Sequence, residues 1–256
     1  MKHIPNLFTL LNLVFGCLAI IVILQSGISL ITTEEGVQMM NMPEQIFLAS
    51  LFIALAAVVD FFDGFVARLM KASSDMGKQL DSLADVVSFG VAPALIVYQF
   101  LRLSVAREEN GLDASFGWLL PALLLPCAAA WRLARFNIDE TQTYHFKGVP
   151  VPAVGLLVAS FPLIFWHSST DTVTGIFLNK WIWYAVVVLL SWLMVSSMPV
   201  MSLKFKDYSF KNNMSKWLLI LLAIVLVLLF KWTAVPLIFI AYILLSLPLS
   251  NKKASS

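Results

Sequence analysis

The sequence predicts an all-α fold: a polytopic transmembrane helix bundle of about eight spans, with the N and C termini both cytoplasmic. Three observations predict it. Of the 256 residues, 60% are hydrophobic and 12% charged, with a mean hydropathy of +0.87, whereas a soluble domain carries about 25% charge. Apolar runs recur at close to the roughly 20 residues that a helix needs to cross a bilayer. The cations are shared very unequally between alternate loops. So few charges cannot cover a soluble surface. A water-soluble enzyme, a disordered chain and a nucleic-acid binder are therefore excluded, and the net charge of +2 is too small to indicate a polyanion partner. With neither a low-complexity segment nor an internal repeat, residues 1–256 read as one integral membrane domain.

The runs lie at about 7–26, 46–69, 79–101, 116–137, 151–168, 180–198, 215–230 and 232–249. Lys2 before the first gives it the outline of a signal peptide. Its flank, Gln25-Ser26-Gly27-Ile28, offers no small-x-small cleavage site and further spans follow, so it is read as a retained span. Only Lys231 and Trp232 separate the last two, which makes them a tight hairpin or one long broken segment. Cys17 and Cys127 sit in apolar stretches without C-x-x-C spacing, so neither a disulfide framework nor a zinc site is indicated.

With the termini on one side, that side holds Lys2, Arg68, Lys71, Lys78, Arg132, Arg135, Lys147, Lys204, Lys206, Lys211, Lys216, Lys252 and Lys253. The other holds Arg102, Arg107, Lys180 and Lys231. Such an excess marks the cytoplasmic side. Trp118, Trp166, Trp181, Trp183, Trp192, Trp217 and Trp232 fall mostly near span ends, where interfacial rings belong. Glu34, Glu35, Glu108, Glu109 and Asp113 read as solvated charge on the external side. His3, His145 and His167 have no partner at metal-ligand spacing.

Four aspartates carry the chemistry. Asp60 and Asp63 close the second span, and Asp81 and Asp85 open the third. Ionisable groups at membrane depth are costly and mark a pathway or a reaction site. At 3.6 residues per turn, Asp60, Asp63, Gly64 and Ala67 share one helix face, and Gly77, Asp81, Asp85 and Ser88 another. The short connection 70–76 makes the two helices antiparallel, so the faces can meet. Crowded carboxylates repel or protonate, and divalent cations relieve this. Oxygen ligands suit Mg²⁺ or Mn²⁺, and a paired site would grip a pyrophosphate, with Arg68 within reach of a phosphate oxygen. The bland alternative is helix-end aspartates that cap or face water.

The pattern Asp60-x-x-Asp63-Gly64-x-x-Ala67-Arg68, eight residues, Gly77, three residues, Asp81, three residues, Asp85 resembles the signature of the CDP-alcohol phosphotransferases. The resemblance implies an integral membrane enzyme that displaces CMP from a CDP-linked lipid with an alcohol. It implies that Asp60, Asp63, Asp81 and Asp85 hold two divalent metals, that Asp85 is the general base, and that Gly64, Ala67, Arg68 and Gly77 surround the CDP moiety. Pro5-Asn6-x-x-Thr9 is similar to the family's opening segment, which places Asn6 and Thr9 beside the nucleotide. Asn12 and Gly16 continue that stripe at helical spacing; ordinary N-capping and small-residue packing are the plainer explanation.

The stretch from Leu80 to Pro93, together with Arg132-Leu133-Ala134-Arg135-Phe136-Asn137 and Phe146-Lys147-Gly148-Val149-Pro150, resembles the phosphatidylserine synthase branch. A leucine is commoner in that branch at the position of Val149. The implied reaction is CDP-diacylglycerol plus L-serine giving phosphatidylserine and CMP. Serine brings a carboxylate that an arginine can grip with two parallel hydrogen bonds. Arg132, Arg135, Asn137 and Lys147 are the candidate serine contacts, Arg135 beside Asn137 first and Lys147 next. Their alternative role is orientation and lipid-headgroup contact.

The resemblance covers residues 4 to 155, so 1–155 is the expected catalytic core and 156–256 a set of C-terminal transmembrane helices. The remaining acceptors are glycerol phosphate, inositol phosphate and choline. A cation transporter is the alternative of another class. The expected partners are the two substrates, membrane lipids and a second copy of the chain, since family members are often homodimers. The expected setting is a bacterial cytoplasmic membrane, with the active site facing the cytoplasm.

Overall fold

A computed structural model describes residues 4–27, 29–32, 38–69, 74–108, 115–139, 145–168, 170–201 and 213–246. Apart from the polar, amphipathic helix at Asp75–Asp85, its longer helices are apolar nearly all round, as lipid on one side and protein on the other require. α1 spans Ile4–Gln25 and α2 Ile46–Leu69. They are joined across a small antiparallel hairpin of β1 (Ser29–Thr32) and β2 (Gln38–Asn41), with Ser29 opposite Asn41. No pattern of residues in this stretch points to the hairpin. Ser74 caps α3 (Asp75–Asp85), accepting the Gly77 N–H at 3.0 Å. Val86–Val91 then form a π-helical turn that leads without a break into α4 (Ala92–Ala106).

After a 3₁₀ segment at Phe116–Leu123 come α5 (Leu124–Ile138), β3 (His145–Lys147) and α6 (Val151–His167). α7 (Asp171–Phe177), α8 (Lys180–Val195), β4 (Pro199–Met201), α9 (Met214–Phe230) and α10 (Ala234–Ser246) follow among the described residues. β3 and β4 pair antiparallel, Lys147 opposite Pro199. Gly148 follows at φ +77, where a Cβ would lie 2.3 Å from the Met194 carbonyl oxygen, so only glycine fits.

Among the described residues, five helices are long and apolar enough to cross a membrane: Pro5–Gln25, Ile46–Val66, Asp75–Ala106, Phe116–Ile138 and Met214–Ser246. A sixth arises if α7 and α8, bent by 65°, are taken together. The expected count of eight is not reached, for two reasons. α6 has 17 residues, just short of a full crossing. The segments expected at 215–230 and 232–249 form one helical run of 33 residues, interrupted at Lys231. There φ is +50° and ψ −120°, and α9 and α10 pack against each other across the turn.

α4 runs through the core. Phe100 stacks on Trp183 with ring centroids 4.7 Å apart, and Phe161, Phe165 and Phe177 close round them. Trp183 was expected at the interface. It is buried instead, its indole N–H donating to the Phe177 carbonyl at 2.8 Å. Glu108, read as solvated charge, pairs with Lys180 at 2.7 Å, and Lys180 lies 4.8 Å over the Trp118 ring. Cys17 and Cys127 are free thiols, as expected.

Candidate active site

Asp60 meets Asp81 and Asp85, although their helices pack on α1 rather than closely on each other. α1 lies against both α2 and α3, and the carboxylates converge beside it. Close approach is possible because Gly16 has no side chain: a Cβ there would stand 2.8 Å from the Ser88 Cα. The Ser88 hydroxyl in turn donates to the Asn12 carbonyl at 3.0 Å. The π-helical turn begins immediately after Asp85, a departure from regular helix that is frequent at functional sites.

Asp60, Asp81 and Asp85 each bring a carboxylate oxygen within 4.8 Å of the other two. Three carboxylates at that separation need compensating charge. A set of hard oxygen donors is the chemistry that Mg²⁺ or Mn²⁺ takes, so the residues fit a divalent cation. Asp63 departs from the expected foursome. It is buried and accepts a hydrogen bond from the Thr9 hydroxyl of α1, which turns its carboxylate to a different partner. Asn12 Nδ2 donates to Asp85 Oδ1 at 3.2 Å, while Asn12 Oδ1 is buried with no hydrogen-bond partner.

On the expected nucleotide side, Asn6 lies next to Gly77: a Cβ on Gly77 would come 3.3 Å from Asn6 Oδ1 and 3.1 Å from Ser74 Oγ. Glycine therefore lets α1 close on the first turn of α3. Gly64 faces open space, with no atom within 4 Å of where its Cβ would be. Ala67 and Arg68 belong to α2, and their side chains lie outside the described residues.

The four candidate serine contacts separate clearly. Arg135 donates to the Val195 carbonyl and to Ser197 Oγ, both at 3.1 Å, and so secures the end of α8. Asn137 donates to Ser82 Oγ at 2.8 Å, tying α5 to α3. Lys147 forms an ion pair with Asp139 at 2.7 Å. Arg132 differs from all three. It is buried at 8% exposure, within electrostatic reach of Asp85, and its Nε has no hydrogen-bond partner. Three of the four candidates are thus engaged by protein partners, whereas the Arg132 Nε has none.

Asn12 and Ser88 were visible in the sequence as members of polar stripes, but nothing there showed that they hold each other and Asp85. Tyr242, also within electrostatic reach of Arg132, gave no signal as a lone tyrosine in an apolar run.

The chain is similar in sequence to known proteins. A Bacillus subtilis (strain 168) protein named CDP-diacylglycerol–serine O-phosphatidyltransferase is 34% identical over 163 residues, covering 63% of this chain and 77% of its own. A Helicobacter pylori (strain 26695) protein of the same name is 33% identical over 187 residues, covering 72% and 71%. One from Saccharomyces cerevisiae is 39% identical over 125 residues, covering 45% and 41%. The family profile described as CDP-alcohol phosphatidyltransferase matches residues 2–192, a region that takes in every aspartate of the cluster and the α1 residues that hold them. By that match and by the cluster itself, the chain belongs to the CDP-alcohol phosphatidyltransferase family.

Proposed function

We propose that this protein transfers the phosphatidyl group from CDP-diacylglycerol to L-serine, releasing CMP. The observation that carries the reading is the buried Arg132, whose Nε has no hydrogen-bond partner, set within electrostatic reach of Asp85 in a family that attacks CDP-lipids with alcohols. The relatives named for the serine reaction support the same acceptor.

Asp60, Asp81 and Asp85, with Asp63 beside them, would hold two divalent cations, Mg²⁺ or Mn²⁺. Bound there, the cations supply positive charge against the pyrophosphate. Asn6, Thr9, Gly64, Ala67, Arg68 and Gly77 form the CDP side. Arg132 receives the serine carboxylate. Asn12 fixes Asp85 Oδ1, leaving Oδ2 to take the hydroxyl proton. The serine oxygen forms a bond to the lipid-side phosphorus, the phosphorus–oxygen bond to CMP breaks, and CMP carries off that electron pair.

The finer topology belongs to the same proposal. Taking the bent α7–α8 pair as one span, counting α6 and dividing Met214–Ser246 at Lys231 gives eight crossings with both termini cytoplasmic, and the active site then faces the cytoplasm across a bacterial inner membrane. Residues 1–155 form the catalytic core, 156–256 the C-terminal helices, and two copies associate. A cation pathway needs acids along several helices at mid-membrane. Here Asp60, Asp81 and Asp85 gather in one cluster, which favours the transferase.

An acceptor panel tests the reading. Purified protein with CDP-diacylglycerol should release CMP with serine when Mg²⁺ or Mn²⁺ is present, and should stop when the cation is chelated. Release with glycerol phosphate, inositol phosphate or choline, and none with serine, would overturn it.

A further inference from the structure

α5 lies along the segment that carries Asp85. It packs against both α3 and the π-helical turn, and two contacts fix its register. At one end, Asn137 Nδ2 donates to Ser82 Oγ at 2.8 Å. At the other, Gly90 meets α5: a Cβ on Gly90 would stand 3.1 Å from the Ala129 Cβ and 3.5 Å from the Pro126 Cα. The contacts are equally spaced on the two segments, 82 to 90 and 129 to 137, so the segments run antiparallel and in step.

Between those contacts lie Asp85 on one segment and Arg132 on the other. Asp85 is one turn beyond Ser82, and Arg132 is one turn beyond Ala129 on the same buried face of α5. The π-helical turn completes the match. Within it the Ala92 N–H donates to the Val87 carbonyl, five residues back, and this wider turn carries Gly90 round toward the face of Ser82 and Asp85. In a regular α-helix, Gly90 would point well aside from that face. α5 therefore seats closely where glycine has no side chain, and the level of Arg132 against Asp85 follows from that seating.

We propose that Gly90 and the Ser82–Asn137 pair are positioning residues that set the gap between the Asp85 carboxylate and the Arg132 guanidinium, and that this gap selects the acceptor by its length. This rests on the serine reading above, in which Asp85 takes the hydroxyl proton and Arg132 receives the carboxylate. Homoserine has the same carboxylate and ammonium with one methylene more before the hydroxyl, so it reads the gap directly.

CMP release by the full chain in detergent–lipid micelles tests it, with CDP-diacylglycerol saturating and either serine or homoserine varied. The parent should favour serine in kcat/KM by at least about 10-fold, as one methylene can allow. Gly90→Ala forces α5 back at Ala129 by a few tenths of an ångström. Held at Asn137, α5 swings, and Arg132 takes more than half of the movement. The preference for serine should fall about five-fold, a fraction of the roughly 100-fold that a 1 Å misplacement can cost. Ala129→Gly in the same chain should restore it. Ser82→Ala and Asn137→Ala free the other end and should shift the ratio in the same sense, the double variant no further than either. Asn137 is exposed, so these variants test the proposal even if Gly90→Ala fails to fold. Equal losses with serine and homoserine, no rescue by Ala129→Gly, or an Asn137 effect that Ser82→Ala does not share would overturn the proposal. If the parent protein releases no CMP with serine, the functional reading itself fails. If it does, and the ratio stays fixed in every variant, only the positioning role fails.

Discussion

Asp85 is the residue on which most of the site depends. It belongs to the three-carboxylate cluster, takes a hydrogen bond from Asn12 and lies within electrostatic reach of Arg132. As the proposed general base it would contribute about 10²–10⁴-fold to rate. Asp85→Asn keeps the size and the polarity but cannot take a proton. CMP release by that variant should fall at least about 100-fold while CDP-diacylglycerol still binds; a rate near that of the parent would show that the base lies elsewhere. Asp63 illustrates the opposite case. It matches the family spacing as well as Asp60 does, but its bond to Thr9 gives it a share in fixing α1 against α2.

Helix-scale features divide by the range of the forces that set them. The aspartate pairs and their glycines were legible because i, i+3 and i, i+4 spacing is local, and a helix converts it directly into a shared face. The insertion of α1 between α2 and α3, and the separation of Asp63 from the other three, depend on Thr9, Asn12 and Gly16 meeting residues 54, 73 and 72 positions away. No local period encodes such a meeting. Arg135 and Arg132 are one turn apart and indistinguishable by composition; only their contacts with α8 and with Asp85 separate them.

Lys231 shows how a turn escapes the same local rules. An apolar run continues through it, yet the backbone turns at φ +50°, a region that favours glycine. Lys231→Gly should raise the thermal unfolding midpoint, since relieving a left-handed non-glycine residue is worth about 1–2 kcal/mol. A lower midpoint would mean that the lysine side chain holds the turn in some other way.

For the molecule as a whole, charge is scarce and its placement is therefore informative. Positive residues accumulate on the side assigned to the cytoplasm, and in the proposed topology the site opens on that side, where an amino acid would arrive. Cysteine placed at Lys206 of an otherwise cysteine-free chain should be labelled by an impermeant maleimide only from the cytoplasmic face of sealed vesicles; labelling from the other face would invert the topology and the site with it.

The central claim is that a serine hydroxyl attacks the lipid-side phosphorus. It is tested most directly with serine carrying ¹⁸O in its hydroxyl, supplied to purified protein with CDP-diacylglycerol, and mass spectrometry of both products. The account predicts full retention of ¹⁸O in the phosphodiester of phosphatidylserine and none in the CMP. Unlabelled lipid product, label on a cytidine-containing product, or no serine-dependent product at all would contradict it.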